Sequence, residues 1–232
     1  MQQWVKDSNM NFITIDFSLN SPGICVFNSN TEQYHFISYL KRTGTKKAIK
    51  MQEDLALMKG VTLVFQPDWE THVDYSSVEL AKIKRYDIMS NDIIELITKH
   101  IDKEDSFKIA FEGVSYGSSA GTNNIIDMAA AASILKIKLL KYFKPEDILT
   151  IAPSTIKKHA GKGNMNKLAL WEVFINNSTG EKFLEETNFW KFAKTVEFGK
   201  SIPKPFDDLV DAFYLNSLMR TLEPNLPRGL NT

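Results

Sequence analysis

The sequence predicts an α/β fold. Three observations predict it: three strand-like segments open the chain, helical and strand-like segments alternate after them, and an amphipathic helix closes the order. No internal repeat and no low-complexity linker interrupts the pattern, so residues 1–232 are expected to form a single domain.

The elements follow in order. Residues 12–17 and 24–27 are predicted strands, joined by "SLNSPG", where Pro22 and Gly23 favour a tight reversal. "EQYHFISYLKR" alternates as a third strand. Residues 44–80 mix the helical "DLALMKG" with the strand-like "VTLVF" and are read as an insertion. From about Ser76 to His100 the periodicity is helical, with serines placed to cap its start. "FKIAFEGV" is a core strand, and "TNNIIDMAAAASILKIKLLKYF" a long alanine-rich helix stopped before Pro145. "ILTIAP" is a short strand, and "NMNKLALWEVFIN" a helix that Asn164 could cap. "EKFLEETNFWKFAKTVEF" reads as an additional helical piece. The last helix starts after Pro205, an acceptable first-turn residue, and runs to about Leu222. The tail "EPNLPRGLNT" is expected to be loose.

Composition bounds the function. At 43% apolar the chain can bury a substantial core. No apolar run approaches the roughly 18 residues of a membrane span, and "MQQWVKDSNM" is no secretion signal. The lone Cys25 excludes an internal disulfide and a cysteine-rich zinc cluster; within "GICVF" it is expected to be a small buried strand residue. The four histidines lack metal-ligand spacing. A reducing, cytoplasmic setting without membrane contact is therefore expected, in a host cell if the origin is a phage or virus.

Net charge is zero, but its distribution is uneven. Lys41, Arg42, Lys46, Lys47 and Lys50 form one acid-free stretch; Lys157, Lys158, Lys162 and Lys167 form another. Acids gather elsewhere, as in "GEKFLEETNFW". Such segregation suits an acidic metal site flanked by basic DNA-contacting segments, and equally an ordinary solvated surface.

Four carboxylates in three segments carry the chemistry. Asp16 and Glu112 each end a short apolar strand, and Asp208 and Asp211 open the last helix on one face. A carboxylate on an otherwise apolar strand is costly unless paired or metal-bound. Acids that converge in this way can hold divalent cations, and a cation pair is an apparatus for cutting phosphodiesters. The plainer alternatives are a turn aspartate at Asp16, a strand-end glutamate reaching solvent at Glu112, and helix-start acids complementing the dipole at Asp207 and Asp208. Asp207 and Asp211, four apart, could share a face as well, so spacing leaves the choice between Asp207 and Asp208 open.

Four segments resemble the RuvC family of Holliday junction resolvases, within the ribonuclease H-like superfamily. "ITIDFSLNSPGICVF" is similar to the family's first strand, and "IAFEGVSYGSSAGTNNIIDMAAAASILK" to its strand-end glutamate and alanine-rich helix. "APSTIKKHAGKGNMNKLALWEVF" resembles its lysine- and glycine-rich segment, and "FDDLVDAFYL" its closing Asp-x-x-Asp-Ala helix. The matches run in family order from about residue 12 to 220.

The resemblance implies a mixed sheet of three antiparallel strands followed by parallel strands, flanked by helices, with insertions near 44–80 and 176–202. It implies a metal-dependent endonuclease of DNA recombination and repair, cutting four-way (Holliday) or other branched junctions as a homodimer. Asp16, Glu112, Asp208 and Asp211 would be metal ligands for two Mg²⁺ ions, which Mn²⁺ could replace. Lys167 matches one functional lysine; Lys157 or Lys158 would stand for the other. Lys157, Lys158, Lys162 and Lys167 would meet phosphates without reading sequence. The family carries a phenylalanine three residues after the glutamate; here Ser115 stands there, and Tyr116 is the candidate stacker. Competing readings are an actin- or sugar-kinase-type nucleotide-binding protein, against which no second phosphate loop is identifiable, and a catalytically inactive junction-binding relative.

Overall fold

The computed structural model describes residues 10–42, 44–101, 105–113, 122–199 and 201–222. Strands β1 (Met10–Asp16), β2 (Gly23–Asn28) and β3 (Gln33–Leu40) form an antiparallel meander. Helix α1 (Lys46–Ala56) and strand β4 (Val61–Phe65) follow, then α2 (Tyr75–Thr98), β5 (Ser106–Glu112) and α3 (Thr122–Leu139). A short turn of 3-10 helix leads into β6 (Ile148–Ile151). The remaining helices are α4 (Pro153–Ala160), α5 (Lys167–Ile175), α6 (Asn188–Ala193) and α7 (Phe206–Leu222).

The six strands lie in the order β4-β3-β2-β1-β5-β6, with β4 parallel to β3, and β5 and β6 parallel to β1. This is the expected mixed sheet. The central strands are covered on both faces, which is why they read as nearly unbroken apolar runs. Alternation along β1 sends Phe12 into one core and Ile13 and Ile15 into the other. Phe12, Cys25, Phe27 and Phe36 pack with α4 to α7, through Phe174, Leu209 and Phe213. Ile13, Ile15, Ile24, Val26 and Ile37 pack under α2 and α3, through Ile93, Ile97 and Leu135.

Four local details differ from the sequence expectation. Part of the segment 44–80 is built into the sheet: α1 is the crossover that lets Val61–Phe65 pair parallel to β3. The cap of α5 is Asn166, whose Oδ1 accepts from the Ala169 amide at 2.9 Å, rather than Asn164. Helix α4 occupies a stretch for which no helix was expected; Pro153 sits in its first turn, where the missing N–H costs nothing. Within 181–198, the helical portion shrinks to α6, capped by Thr187.

Helix α7 is docked on β1 and β2 by buried polar pins. Thr14 Oγ1 donates to the Ala212 carbonyl at 2.7 Å, and Asn216 Nδ2 donates to the carbonyls of Phe12 (2.8 Å) and Cys25 (3.1 Å). We predict that Asn216→Leu destabilises the fold by roughly 1–3 kcal/mol, the cost of stranding buried acceptors. Urea unfolding measures this; an unchanged midpoint would remove Asn216 from the docking contacts.

Candidate metal centre

Parallel pairing places Asp16 and Glu112 side by side. Ile15 partners Phe111, and each acid is the residue that follows, at the C-terminal end of its strand. The third carboxylate comes from the first turns of α7. Asp16 partners Gly23 across β1 and β2, and Gly23 abuts the main chain of Asp208: a Cβ there would lie 2.2 Å from the Asp208 carbonyl oxygen. A hydrogen at this position therefore lets α7 approach the strand end that carries Asp16.

Asp16, Glu112 and Asp211 each offer a carboxylate oxygen, and these oxygens lie within 4.8 Å of one another. Asp208 is nearby but turned elsewhere. It is 2% exposed, and its Oδ1 accepts from Lys204 Nζ. Asp207, 6% exposed, accepts from both Lys167 and Lys204. Lys167 Nζ also lies 3.8 Å from Asp211 and 4.0 Å from Asp208.

The electrostatics show a site short of positive charge. Burial first, and then Glu112, Asp211 and Asp208, hold the Asp16 carboxyl well above the usual carboxylate range. Burial and Asp211 push Glu112 up to about 7. Burial is the largest cause for Asp208 and Asp211 as well, each pushed up to about 6, with Asp207 adding to both. Burial opposes the charge on Lys167, yet Asp207, Asp208 and Asp211 outweigh it and raise its pKa. Asp16, Glu112, Asp207, Asp208 and Asp211 face the charges of Lys157, Lys167 and Lys204. The donors are all hard oxygens, and Asp207 Oδ1 and Asp208 Oδ2 are buried without a hydrogen-bond partner. Such a set fits a hard divalent cation.

A pH dependence follows. With no cation bound, the raised pKa values mean that Asp16, Glu112, Asp208 and Asp211 hold more protons in the folded chain than in the unfolded chain between about pH 4 and 7. Burial lowers His35, His100 and His159 and acts in the opposite sense. The stability carried by the protonated acids is present below that window and lost as pH rises through it. We predict that the gain in thermal midpoint on replacing EDTA with Mg²⁺ grows as pH rises across this range. A flat profile would count against mutual repulsion among these acids.

The other expected residues distribute unevenly. Of the two lysines left open by the sequence, Lys157 is the one whose charge acts on both Glu112 and Asp211. Lys158 and Lys162 are exposed on α4 and the turn that follows it. Tyr116 lies outside the described residues. Sequence reasoning missed Lys204; the signal was a lysine three and four residues before the two aspartates in "KPFDD".

No family model and no curated protein matches the sequence. Among solved structures, the yeast mitochondrial Holliday junction resolvase Ydc2 superposes with a TM-score of 0.51 at 12% identity, over 93% of this chain and 79% of that one. T. thermophilus RuvC in complex with Holliday junction substrate gives 0.49 at 9% identity, over 92% and 96%. The sheet order, with acids on adjacent parallel strand ends, defines a ribonuclease H-like fold. Within that class, the architecture is similar to that of the yeast mitochondrial Holliday junction resolvase Ydc2. At these identities the likeness is one of fold, and the chemistry must be argued from this chain's own residues. Among the described residues, no helix is long and apolar enough to cross a membrane.

Proposed function

We propose that this protein is a metal-dependent endodeoxyribonuclease that hydrolyses phosphodiesters at four-way or other branched DNA junctions. One observation carries the reading: Asp16, Glu112 and Asp211, distant in sequence, gather their oxygens within 4.8 Å at the edge of a resolvase-like sheet. Asp16, Glu112 and Asp211 would hold the first Mg²⁺, and Asp208 would contribute to a second. Bound cations of this kind lower the pKa of an attacking water and neutralise charge on the leaving oxygen. Mn²⁺ suits the same oxygen donors.

The chain's own groups supply the rest. Lys167, held against Asp207, keeps an ammonium at the mouth of the acid cluster, where it can meet a phosphate oxygen. Lys157 moderates repulsion at Glu112 and Asp211. Exposed Lys158 and Lys162 extend the positive surface along the strand to be cut. We read residues 1–232 as one domain acting in the cytoplasm. A homodimer would present one site to each of two junction strands. The outward stripe of α3, with exposed Ile126 and Ile137 and with Leu140 just past its end, is consistent with that partner.

The test is nicking of four-way, flap and linear DNA with and without Mg²⁺. Mg²⁺-dependent cuts in branched DNA support the proposal. Tight junction binding without cuts would replace it with a structural role, and ATP hydrolysis without cuts with a nucleotide-binding one.

A further inference from the structure

Two lysines reach the first turns of α7 from separate segments. Lys167 begins α5, and Lys204 precedes α7. Lys204 Nζ donates to Asp208 Oδ1 and, at 2.9 Å, to Asp207 Oδ2. This pairing is incomplete on the acid side. Asp208 is 2% exposed and its Oδ2 has no partner, as is true of Oδ1 of Asp207. A buried carboxylate with one oxygen on an ammonium and the other bare has coordination left to give.

The two ends of Lys204 are held differently. Its side chain is 43% exposed, so the ammonium can leave for water at little desolvation cost. Its main chain is anchored: Gln52 of α1, 1% exposed, donates its Nε2 to the Lys204 carbonyl at 2.9 Å. Lys47 of the same helix reaches the carbonyl of Glu197 at 3.2 Å. Residues from the two segments read as insertions, 44–80 and 176–202, thus meet at Lys47 and Glu197, and the first of them also holds the main chain of Lys204.

Resting on the two-cation reading above, we propose that Lys204 is a built-in competitor for the second divalent cation. It occupies the place beside Asp208 that this cation needs. Asp208 joins Asp16, Glu112 and Asp211 only when Lys204 swings out to solvent. The first cation meets three carboxylates that are already gathered, and its binding requires no such displacement. The second must break the Lys204–Asp208 contact, so the two steps differ in affinity, and Lys204 sets the difference.

The experiment is calorimetric titration of Mn²⁺ into the DNA-free protein and three variants. Wild type is expected to bind one cation tightly and a second weakly. Lys204→Gln strengthens the second step on the order of tenfold, the scale of one charge-assisted hydrogen bond, and leaves the first nearly unchanged. Lys204→Arg, which keeps the charge, keeps the second step weak. An unaltered second step in Lys204→Gln overturns the proposal, because Asp208 is then not contested. Equal strengthening of both steps overturns it as well, since Lys204 would act only as a distant charge. The third variant, Asp211→Asn, separates the two layers of the argument. If it binds Mn²⁺ as wild type does, the metal centre itself is wrong and the inference falls with it. Should Lys204→Gln fail to fold, Gln52→Ala frees the Lys204 main chain and is expected to shift the second step in the same direction; no shift there overturns the proposal too.

Discussion

Asp211→Asn is expected to abolish Mg²⁺-dependent junction cleavage while leaving junction binding intact. The substitution preserves shape and removes one of the three charges that converge on the proposed first cation. Asp211 is 14% exposed on its side chain and sits a turn inside α7, where a helix-start role gives no reason for an acid. Cation-supplied charge stabilisation is worth several kcal/mol, so we predict a loss on the order of 10³-fold in the cleavage step. Binding should survive, because the exposed Lys158 and Lys162 are untouched. Single-turnover cleavage and gel-shift titration of the same four-way junction measure the two separately. Retained cleavage would remove Asp211 from the metal ligands, and joint loss of cleavage, binding and fold would mark it as structural.

The second large effect is predicted for Gly23→Ala, a change distant from the chemistry in kind but not in space. A Cβ would lie 2.2 Å from the carbonyl oxygen of Asp208 and 2.9 Å from the amide nitrogen of Leu209, both main-chain atoms at the start of α7. Neither can yield without moving the helix. The pins at Thr14 and Asn216 resist that movement, so the first turn must tilt away from β2. We predict a destabilisation of about 1–3 kcal/mol, as for other overpacked sites. Cleavage should fall further than stability alone explains, by about 10²-fold, because a shift near 1 Å is costly to a positioned catalytic group. Comparing the cleavage rate with the thermal midpoint decides it. A variant with wild-type cleavage would show that α7 does not need this close approach.

Much of this was legible in the chain because the signals are local. The meander reads from alternating segments around "SLNSPG", and the final helix from Pro205 onward was placed with its observed ends. Asp16 and Glu112 stand out because each ends a largely apolar strand, and strand ends are where a parallel sheet presents side chains to one edge. Less legible were features whose cause lies elsewhere in the chain. Nothing within "VTLVF" says that it pairs parallel to β3; that depends on the crossover through α1. Helix α4 was hidden by a lysine- and glycine-rich composition that suits an exposed turn equally well.

The four acids illustrate the division. Residue types and periodicity alone determined that acids would stand at two strand ends and along the start of one helix. The tertiary structure alone decided which of them meet. Spacing permits either Asp207 or Asp208 to share a face with Asp211, and the folded chain turns both toward lysines. Those lysines arrive from α5 and from a segment held by α1, well separated from α7 in sequence or anchored by contacts that are. Carboxylate orientation is set by the nearest counter-charge, and which counter-charge is nearest is a property of packing between distant segments.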